Sequence, residues 1–257
     1  MLRLEQAMRH VNDDSFTYHL RRLLRARLRF NTFLILRFPR SGAPEGFHSW
    51  IPNTQLHTDY NAKYLNGTYQ LDPFFRHAMS SQKGGMFRLS DIAPDRFFMS
   101  EYYVKYYQET LLSDEIGLIV PLSDGSKGHL SISRGAELGR FHLKERRCLM
   151  HFSPILIELV RQHCEYRISI GTRDESGPSS LALPAQIRAH ARDELQANLT
   201  NREAEITSLV LQGHSSASAA LVLGMSRQTA KVHRRNIYRK LQISSQAELF
   251  TRMAALF

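Results

Sequence analysis

The segment Leu199–Leu249 reads LTNREAEITSLVLQGHSSASAALVLGMSRQTAKVHRRNIYRKLQISSQAEL and contains the signals of short helices separated by glycine turns. Thr200 and Glu203 have the spacing of a capping box, in which each side chain bonds the amide of the other at the start of a helix. Gly213 tolerates a positive φ and so ends the first helix, and Gly224 supplies a tight turn after the second. The pattern predicts a helix-turn-helix module.

The third predicted helix begins at Ser226 and has two contrasting faces. Its inward apolar stripe consists of Ala230, Ile237 and Leu241, and its opposite face carries Gln228, Lys231, Val232, Arg235 and Arg239. Between positions 231 and 240 there are five basic residues and no acidic one. A cationic helix face of this kind suits a DNA groove lined by phosphates, and Val232 can pack on a thymine methyl group. The alternative is that this basic face is exposed to solvent and does not bind DNA.

Residues 199–249 resemble the LuxR/GerE-type helix-turn-helix. The positions that carry the resemblance are Leu199, Thr200, Arg202, Glu203, Gly213, Gly224, Ser226, Thr229, Lys231, Val232, His233, Asn236, Ile237, Lys240 and Leu241. The resemblance implies that double-stranded DNA is the partner. It implies base contacts from Lys231, Val232 and Arg235, and contacts with the DNA backbone from Ser226, Thr229, Arg239 and Lys240.

A fourth helix is predicted after a second capping box, Ser245 to Glu248. The family uses its fourth helix as a dimer contact, which implies a homodimer held by an apolar stripe composed of Leu249, Phe250 and Met253. The same stripe could instead cover the core of its own module. Both interpretations are compatible with the sequence.

Charge, cysteine content and apolar segments limit the classes of protein to which the chain can belong. The formal net charge is +10, and residues 198–257 contain eight basic and three acidic residues, so the positive charge is concentrated in the predicted DNA-binding region. The only cysteines, Cys148 and Cys164, lie too far apart on one predicted helix to form a disulfide. The absence of a signal peptide and of a long apolar run predicts a soluble, cytoplasmic protein without a membrane partner.

The chain is predicted to consist of two domains. Residues 171–180, GTRDESGPSS, have the composition of a linker, and a short connecting helix is predicted after Pro184. The boundaries are therefore 1–170 for the first domain, 171–197 for the linker and 198–257 for a small all-α four-helix domain. Predicted helices at 15–29, 54–66, 73–81, 100–112 and 141–168 flank strands at 32–38, 117–122 and 128–133. This order predicts an α+β fold, an α-β-α sandwich with an antiparallel sheet between helices.

The first domain resembles, in part, the autoinducer-binding domain of quorum-sensing LuxR-type regulators. The resemblance rests on Tyr60-x-x-x-Tyr64, on Asp72-Pro73 and on Gly117. It departs from the family pattern because Tyr60 stands in place of a Trp and because the interval from Tyr64 to Asp72 is one residue short. The resemblance implies a ligand site composed of Tyr60, Tyr64, Asp72, Phe75, Phe87 and Gly117. Asp72 could equally be the cap of a helix that begins at Pro73.

These features predict a transcriptional regulator that binds an inverted-repeat promoter site as a homodimer and responds to a small-molecule signal. The signal would be an acyl-homoserine lactone or another small amide or amine, and RNA polymerase is a further candidate partner. The alternative is a ligand-independent regulator whose first domain is a dimerisation or protein-interaction module with a filled core. The sequence contains no phosphate loop, metal cluster or nucleophile elbow, so neither an enzyme nor a cofactor or metal site is expected.

Overall fold

A computed structural model describes residues 2–52, 64–65, 67–104, 112–171 and 182–257. The chain divides into two compact units. The first contains 1–61, 74–92 and 110–179, and the second contains 62–73, 93–109 and 180–257. Most of the predicted helix at 54–66 and much of the one at 100–112 lie outside the described residues, as do Tyr60 and residues 172–181 of the predicted linker.

The first unit is built on a five-stranded sheet in the order β2-β1-β5-β4-β3. Its strands are β1 Thr32–Phe38, β2 Glu45–Trp50, β3 Gly85–Arg88, β4 Leu112–Pro121 and β5 Lys127–Gly135. Every neighbouring pair is antiparallel, which confirms the predicted sheet. The predicted strands at 117–122 and 128–133 correspond to parts of β4 and β5, which pair from Pro121 opposite Lys127 onwards around the turn at 123–126.

The helices of the first unit are α1 Leu2–Arg9, α2 Phe16–Arg25, α3 Pro73–Ser80, the single turn α4 Leu89–Ile92 and the long α5 Leu143–Ile170. The predicted helices at 15–29, 73–81 and 141–168 correspond to α2, α3 and α5. The sequence did not predict α1, β2 or β3. Of these, β2 has only partly buried or exposed residues, so it lacks the alternating apolar pattern that marks a half-buried strand.

The two faces of the sheet have different surroundings because successive strand residues point to opposite sides. One face contributes Phe33, Ile35, Leu118 and Leu130 to a core that α2 and α5 complete. The opposite face carries Phe38, Gly117 and His129, and the ring of Phe74 from α3 packs on it. This is the helix–sheet–helix layering that the sequence predicts.

The described residues of the second unit form the helices α6 Leu183–Asp193, α7 Asn201–Leu211, α8 Ser216–Val222, α9 Arg227–Leu241 and α10 Gln246–Met253. The predicted connecting helix is α6, and Leu183, Ile187 and Ala191 on it are buried. The helices α7 to α10 correspond to the predicted four-helix domain. Gly213 and Gly224, which follow α7 and α8, have φ angles of 92° and 63°, as their predicted turn roles require.

Segments from the middle of the chain also belong to the second unit. Asp95 accepts a hydrogen bond from the amide of Ser215 at 3.0 Å, and the amide of Arg96 donates to the carbonyl of Gly213 at 2.9 Å. A Cβ atom on Gly213 would lie 2.6 Å from the Cα atom of Phe97, so a glycine is required for this close approach. The turn between α7 and α8 is therefore held by residues remote in sequence that belong to the same compact unit.

Candidate DNA interface and ligand-binding residues

The first helix of the candidate DNA-binding module is fixed by the predicted capping box. The amide of Thr200 donates to Oε2 of Glu203 at 2.8 Å, and the amide of Glu203 donates to the hydroxyl of Thr200 at 3.2 Å. The Glu203 side chain is 5% exposed and also accepts from Nζ of Lys240 at 2.7 Å. A buried carboxylate therefore joins the start of α7 to the end of α9.

The same ion pair gives Lys240 a structural role in the module. Its ammonium group donates to Glu203 and, at 3.0 Å, to the carbonyl of Asn198. An ammonium group has three donors and the Lys240 side chain is 32% exposed, so its predicted contact with the DNA backbone stays a prediction.

Helix α9 begins at a side-chain cap. The hydroxyl of Ser226 accepts from the amide of Thr229 at 3.0 Å and lies 2.8 Å from the Thr229 hydroxyl. The predicted inward stripe is confirmed, since Ala230, Ile237 and Leu241 are the buried residues of the helix. Because these three residues face the module, the opposite side of α9 faces outward.

The outward side of α9 carries the predicted DNA-reading residues. Lys231, Val232, Arg235 and Arg239 are all exposed, as are Ser226 and Thr229 at the start of the helix. Val232 is 37% exposed, an unusual position for an aliphatic side chain on a strongly basic face. The structure therefore brings the predicted readers together on one accessible surface. Their contacts with DNA stay predictions.

The exposed face includes one residue that the sequence analysis did not assign. Arg227 is exposed in the first turn of α9, four residues before Lys231 and eight before Arg235, so the three side chains form one row along the helix. Its place directly after the Ser226 cap was the signal that could have identified it. Arg234, by contrast, donates to the hydroxyl of Tyr238 at 2.8 Å and stacks over its ring.

The apolar stripe of α10 does not form an exposed dimer surface. Leu249 and Met253 have no exposed area and Phe250 is 8% exposed. The Phe250 ring stacks on Phe257, with 5.9 Å between the ring centroids. The stripe therefore covers the core of its own unit, which was the alternative that the sequence left open, and the predicted dimer contact through these three side chains is wrong.

Two of the predicted ligand residues form a buried polar pair in the second unit. The Tyr64 hydroxyl donates to Oδ2 of Asp72 at 2.6 Å, and both residues are about 5% exposed or less. Asp72 immediately precedes Pro73, the first residue of α3, and has an extended backbone. The position is compatible with the start-of-helix interpretation and with an acceptor role toward a ligand.

Phe75, Phe87 and Gly117 belong to the first unit. Phe75 packs edge-on against Phe38 at 5.2 Å, and Phe87 lies 4.3 Å from the ring of His77. A Cβ atom on Gly117 would lie 2.5 Å from the Phe74 ring and 2.6 Å from that of His129. Protein rings fill the space above Gly117, so its predicted contact with a ligand is wrong, and the glycine is needed for packing instead.

His129 is the buried centre of this aromatic layer. Its ring stacks on Phe38 at 5.1 Å and lies 5.0 Å from that of Phe74. Burial lowers the pKa of His129 to about 4, against the weak opposing effect of a bond to the Leu118 carbonyl. The imidazole is therefore neutral near neutral pH and acts here as a flat packing group.

With this geometry established, comparison with known proteins identifies the module. Residues 197–254 match the family described as "GerE: Bacterial regulatory proteins, luxR family". Residues 197–254 are a luxR-family DNA-binding domain. The GerE domain covers α7, α8, α9 and all of α10, so the exposed row on α9 lies inside it.

Relatives extend the similarity beyond the GerE domain. A protein of Aeromonas salmonicida, named as a candidate HTH-type transcriptional regulator in the exeN 3′ region, is 29% identical over 179 residues, which is 70% of this chain and 91% of the relative. The response regulator protein TodT of Pseudomonas putida is 40% identical over 76 residues, 28% of this chain and 34% of TodT. These matches support the classification of the chain as a DNA-binding regulator of transcription.

The N-terminal fold also has a structural relative. The LBD domain of VqsR from Pseudomonas aeruginosa superposes with a TM-score of 0.55 at 23% identity, over 64% of this chain and 95% of that domain. At this identity the likeness establishes the fold alone. In the described part of the chain, no helix is long and apolar enough to cross a membrane.

Proposed function

We propose that this protein is a transcriptional regulator that binds an inverted-repeat promoter site as a homodimer through α9. The observation that carries the proposal is the outward row of Arg227, Lys231 and Arg235 with Val232 beside it, in a helix whose opposite face is buried. Arginine and lysine pair with guanine edges, and an aliphatic side chain packs on a thymine methyl group. Ser226, Thr229 and Arg239 would hold the phosphates that flank this contact.

Binding-site selection tests this function. The full-length protein is incubated with a pool of randomised duplexes, and the bound fraction is sequenced over several rounds. A homodimer of the proposed kind enriches an inverted repeat whose half-sites are separated by about one helical turn or a multiple of it. Sedimentation of the complex then gives two protein chains per site. Enrichment of no sequence, or of a single asymmetric half-site with one chain bound, contradicts the proposal.

The proposal includes a small-molecule signal bound by the N-terminal residues. It is supported by the fold shared with the VqsR domain and by the buried pair of Tyr64 and Asp72. A carboxylate presents several acceptor positions, and an amide or amine of a ligand is a donor that matches them. The class of signal is a small amide or amine, which includes acyl-homoserine lactones. The site of action is the cytoplasm, where the promoter DNA lies, and RNA polymerase is the further partner that promoter control requires.

Thermal unfolding of the full chain tests the signal. A panel of acyl-homoserine lactones, amides and amines is compared on the natural protein and on Asp72→Asn. A ligand that binds the folded state raises the midpoint by an amount that grows with the logarithm of its concentration above Kd, and the variant should lose that rise while keeping its affinity for DNA. A compound that stabilises both proteins equally does not use Asp72 and would contradict the assignment.

One observation favours the ligand-independent alternative. The Phe38, Phe74 and His129 rings fill the sheet face around Gly117, as expected for a domain with a filled core. In that case the first unit serves as a dimerisation or protein-interaction module. Occupancy of the selected DNA site distinguishes the two functions. A ligand-independent regulator occupies that site equally with and without every compound of the panel.

A further inference from the structure

The helical side of the first unit contains an apolar groove that the proposed function does not use. It is lined by apolar side chains of α1, of α2 and the residues that follow it, and of α5, together with Arg27, which lies just after α2, and Cys148 of α5. We call it the α1–α2–α5 groove. Its volume is about 290 Å³. It lies on the face of the sheet opposite Gly117 and His129.

The shape and lining of the groove define the apolar part of an occupant. Its floor consists of Leu24, Leu28, Leu149 and Leu156, which are all nearly fully buried and belong to the core. Its outer wall consists of Phe152 and Ile155, which are 42% and 43% exposed. Since a cavity of about 150 Å³ accommodates benzene, this volume holds roughly twice as many carbon atoms, about ten to twelve.

A single charge at the edge of the groove defines the other part of the occupant. Arg27 is the one charged lining residue, and it is exposed. Arg21 and Arg25 stack over Trp50, whereas no ion pair or ring contact of Arg27 is found among the described residues. The segment on which Arg27 lies contains no acidic residue between Asp14 and Glu45, and Glu5 of α1 is paired with Arg9. Arg27 therefore gives this edge of the groove a positive charge.

We propose that the α1–α2–α5 groove binds a medium-chain fatty acid, with the alkyl chain among the leucines and the carboxylate paired with Arg27. An aliphatic slot with an exposed guanidinium at its mouth is complementary to a single-chain anionic amphiphile. The same positive charge disfavours cationic amphiphiles. A fatty acid at this site binds without DNA and independently of Asp72.

Calorimetric titration of the full-length protein tests the proposal. Decanoate, below its micellar concentration, is compared with decanol and decyltrimethylammonium. Decanoate is expected to bind with one molecule per chain and more tightly than either analogue. Arg27→Glu should weaken decanoate by at least about ten-fold, the loss expected for a hydrogen bond to a charged group. Arg29→Glu makes the same change of charge two residues away, outside the lining, and should leave the affinity nearly unchanged.

Alkylation of Cys148 gives a second readout that does not depend on a substitution. Cys148 is partly exposed in the groove, whereas Cys164 is buried and burial raises its pKa to about 12, so N-ethylmaleimide reports on Cys148 in the folded protein. Decanoate should slow this alkylation, and the alkylated protein should no longer bind decanoate.

Three results would overturn the proposal: no binding of decanoate, equal effects of Arg27→Glu and Arg29→Glu, or decanol bound as tightly as decanoate. Protection of Cys148 that increases with protein concentration in the absence of fatty acid would assign the groove to contact between copies instead. Because none of these measurements contains DNA, a failure here leaves the proposed regulatory function unaffected.

Discussion

Nζ of Lys240, near the end of α9, lies 2.7 Å from Oε2 of the buried Glu203 in the first turn of α7. Burial alone would raise the pKa of Glu203, but hydrogen bonds from Lys240 and Thr200 outweigh this effect and hold the pKa below its ordinary value. The pair thereby fixes the DNA-facing helix relative to the first helix of the module. Lys240, a basic residue of α9, therefore has a structural role in the domain.

Replacement of Lys240 by Met should destabilise the protein rather than disturb DNA recognition. Removal of the ammonium leaves a buried carboxylate with one fewer donor, which costs about 1–3 kcal/mol. Urea unfolding at pH 7 measures the loss, and adding Glu203→Gln should recover part of it. Normal stability with a large loss of DNA affinity would instead show that Lys240 contacts DNA and does not stabilise the fold.

Arg239→Ala should weaken binding to all DNA sequences to a similar degree. Arg239 is exposed on α9 and is proposed to contact phosphate. Loss of one phosphate contact reduces the slope of the logarithm of affinity against the logarithm of salt concentration by about 1. The measurement is a salt series on the selected site and on an unrelated duplex. A variant that loses affinity for the selected site alone would be a base reader.

His129 should make the folded state sensitive to mild acid. The unfolded chain takes up a proton near the ordinary pKa of 6.5, whereas the buried ring does so only near pH 4. Stability is therefore complete above about pH 6.5 and falls as the pH drops toward 4, by about 3 kcal/mol at most.

His129→Phe keeps a ring between Phe38 and Phe74 and should lose less stability between pH 7 and pH 4.5 than the natural protein does. Urea midpoints at the two pH values measure this difference. The pKa of His48 is also lowered to about 4, mainly by burial, so some acid sensitivity should persist in the variant. The exposed His151→Gln is the matched control. An unchanged pH dependence in His129→Phe would show that the ring is protonated in the folded state.

Gly117→Ala should destabilise the first unit because the new methyl group would overlap the rings of Phe74 and His129. Overpacking of this kind costs about 1–3 kcal/mol. Phe74→Leu in the same chain removes one of the two rings and should recover part of the loss, so that the two effects are not additive. A stable Gly117→Ala variant would mean that open space adjoins the glycine.

The DNA-binding module was predictable because its signals are local. The cap at Thr200, the glycine at 213 and the apolar spacing of α9 each act within a few residues of one another, and all three have their predicted roles in the structure. The outward face of α9 followed directly from its inward stripe.

The remaining features depend on contacts between distant parts of the chain. The burial of Phe250 depends on packing within the second unit, where a close approach of Gly67 to the backbone of Leu256 also ties a distant segment to the C-terminus. Likewise, the role of Lys240 depends on Glu203, 37 residues earlier. A sequence pattern shows that such residues are apolar or basic, but it does not show which residues they contact.

The most direct test of the account is the affinity of Lys231→Ala and Arg235→Ala for the selected DNA site, with Arg234→Ala as a basic control that contacts Tyr238 instead. Fluorescence anisotropy on the selected duplex and on a scrambled one should show each reader variant losing about 1–3 kcal/mol of specific binding, with unfolding curves unchanged. Arg234→Ala should retain its preference for the selected site. Reader variants that bind the selected duplex as tightly as the natural protein would contradict DNA recognition by this face of α9.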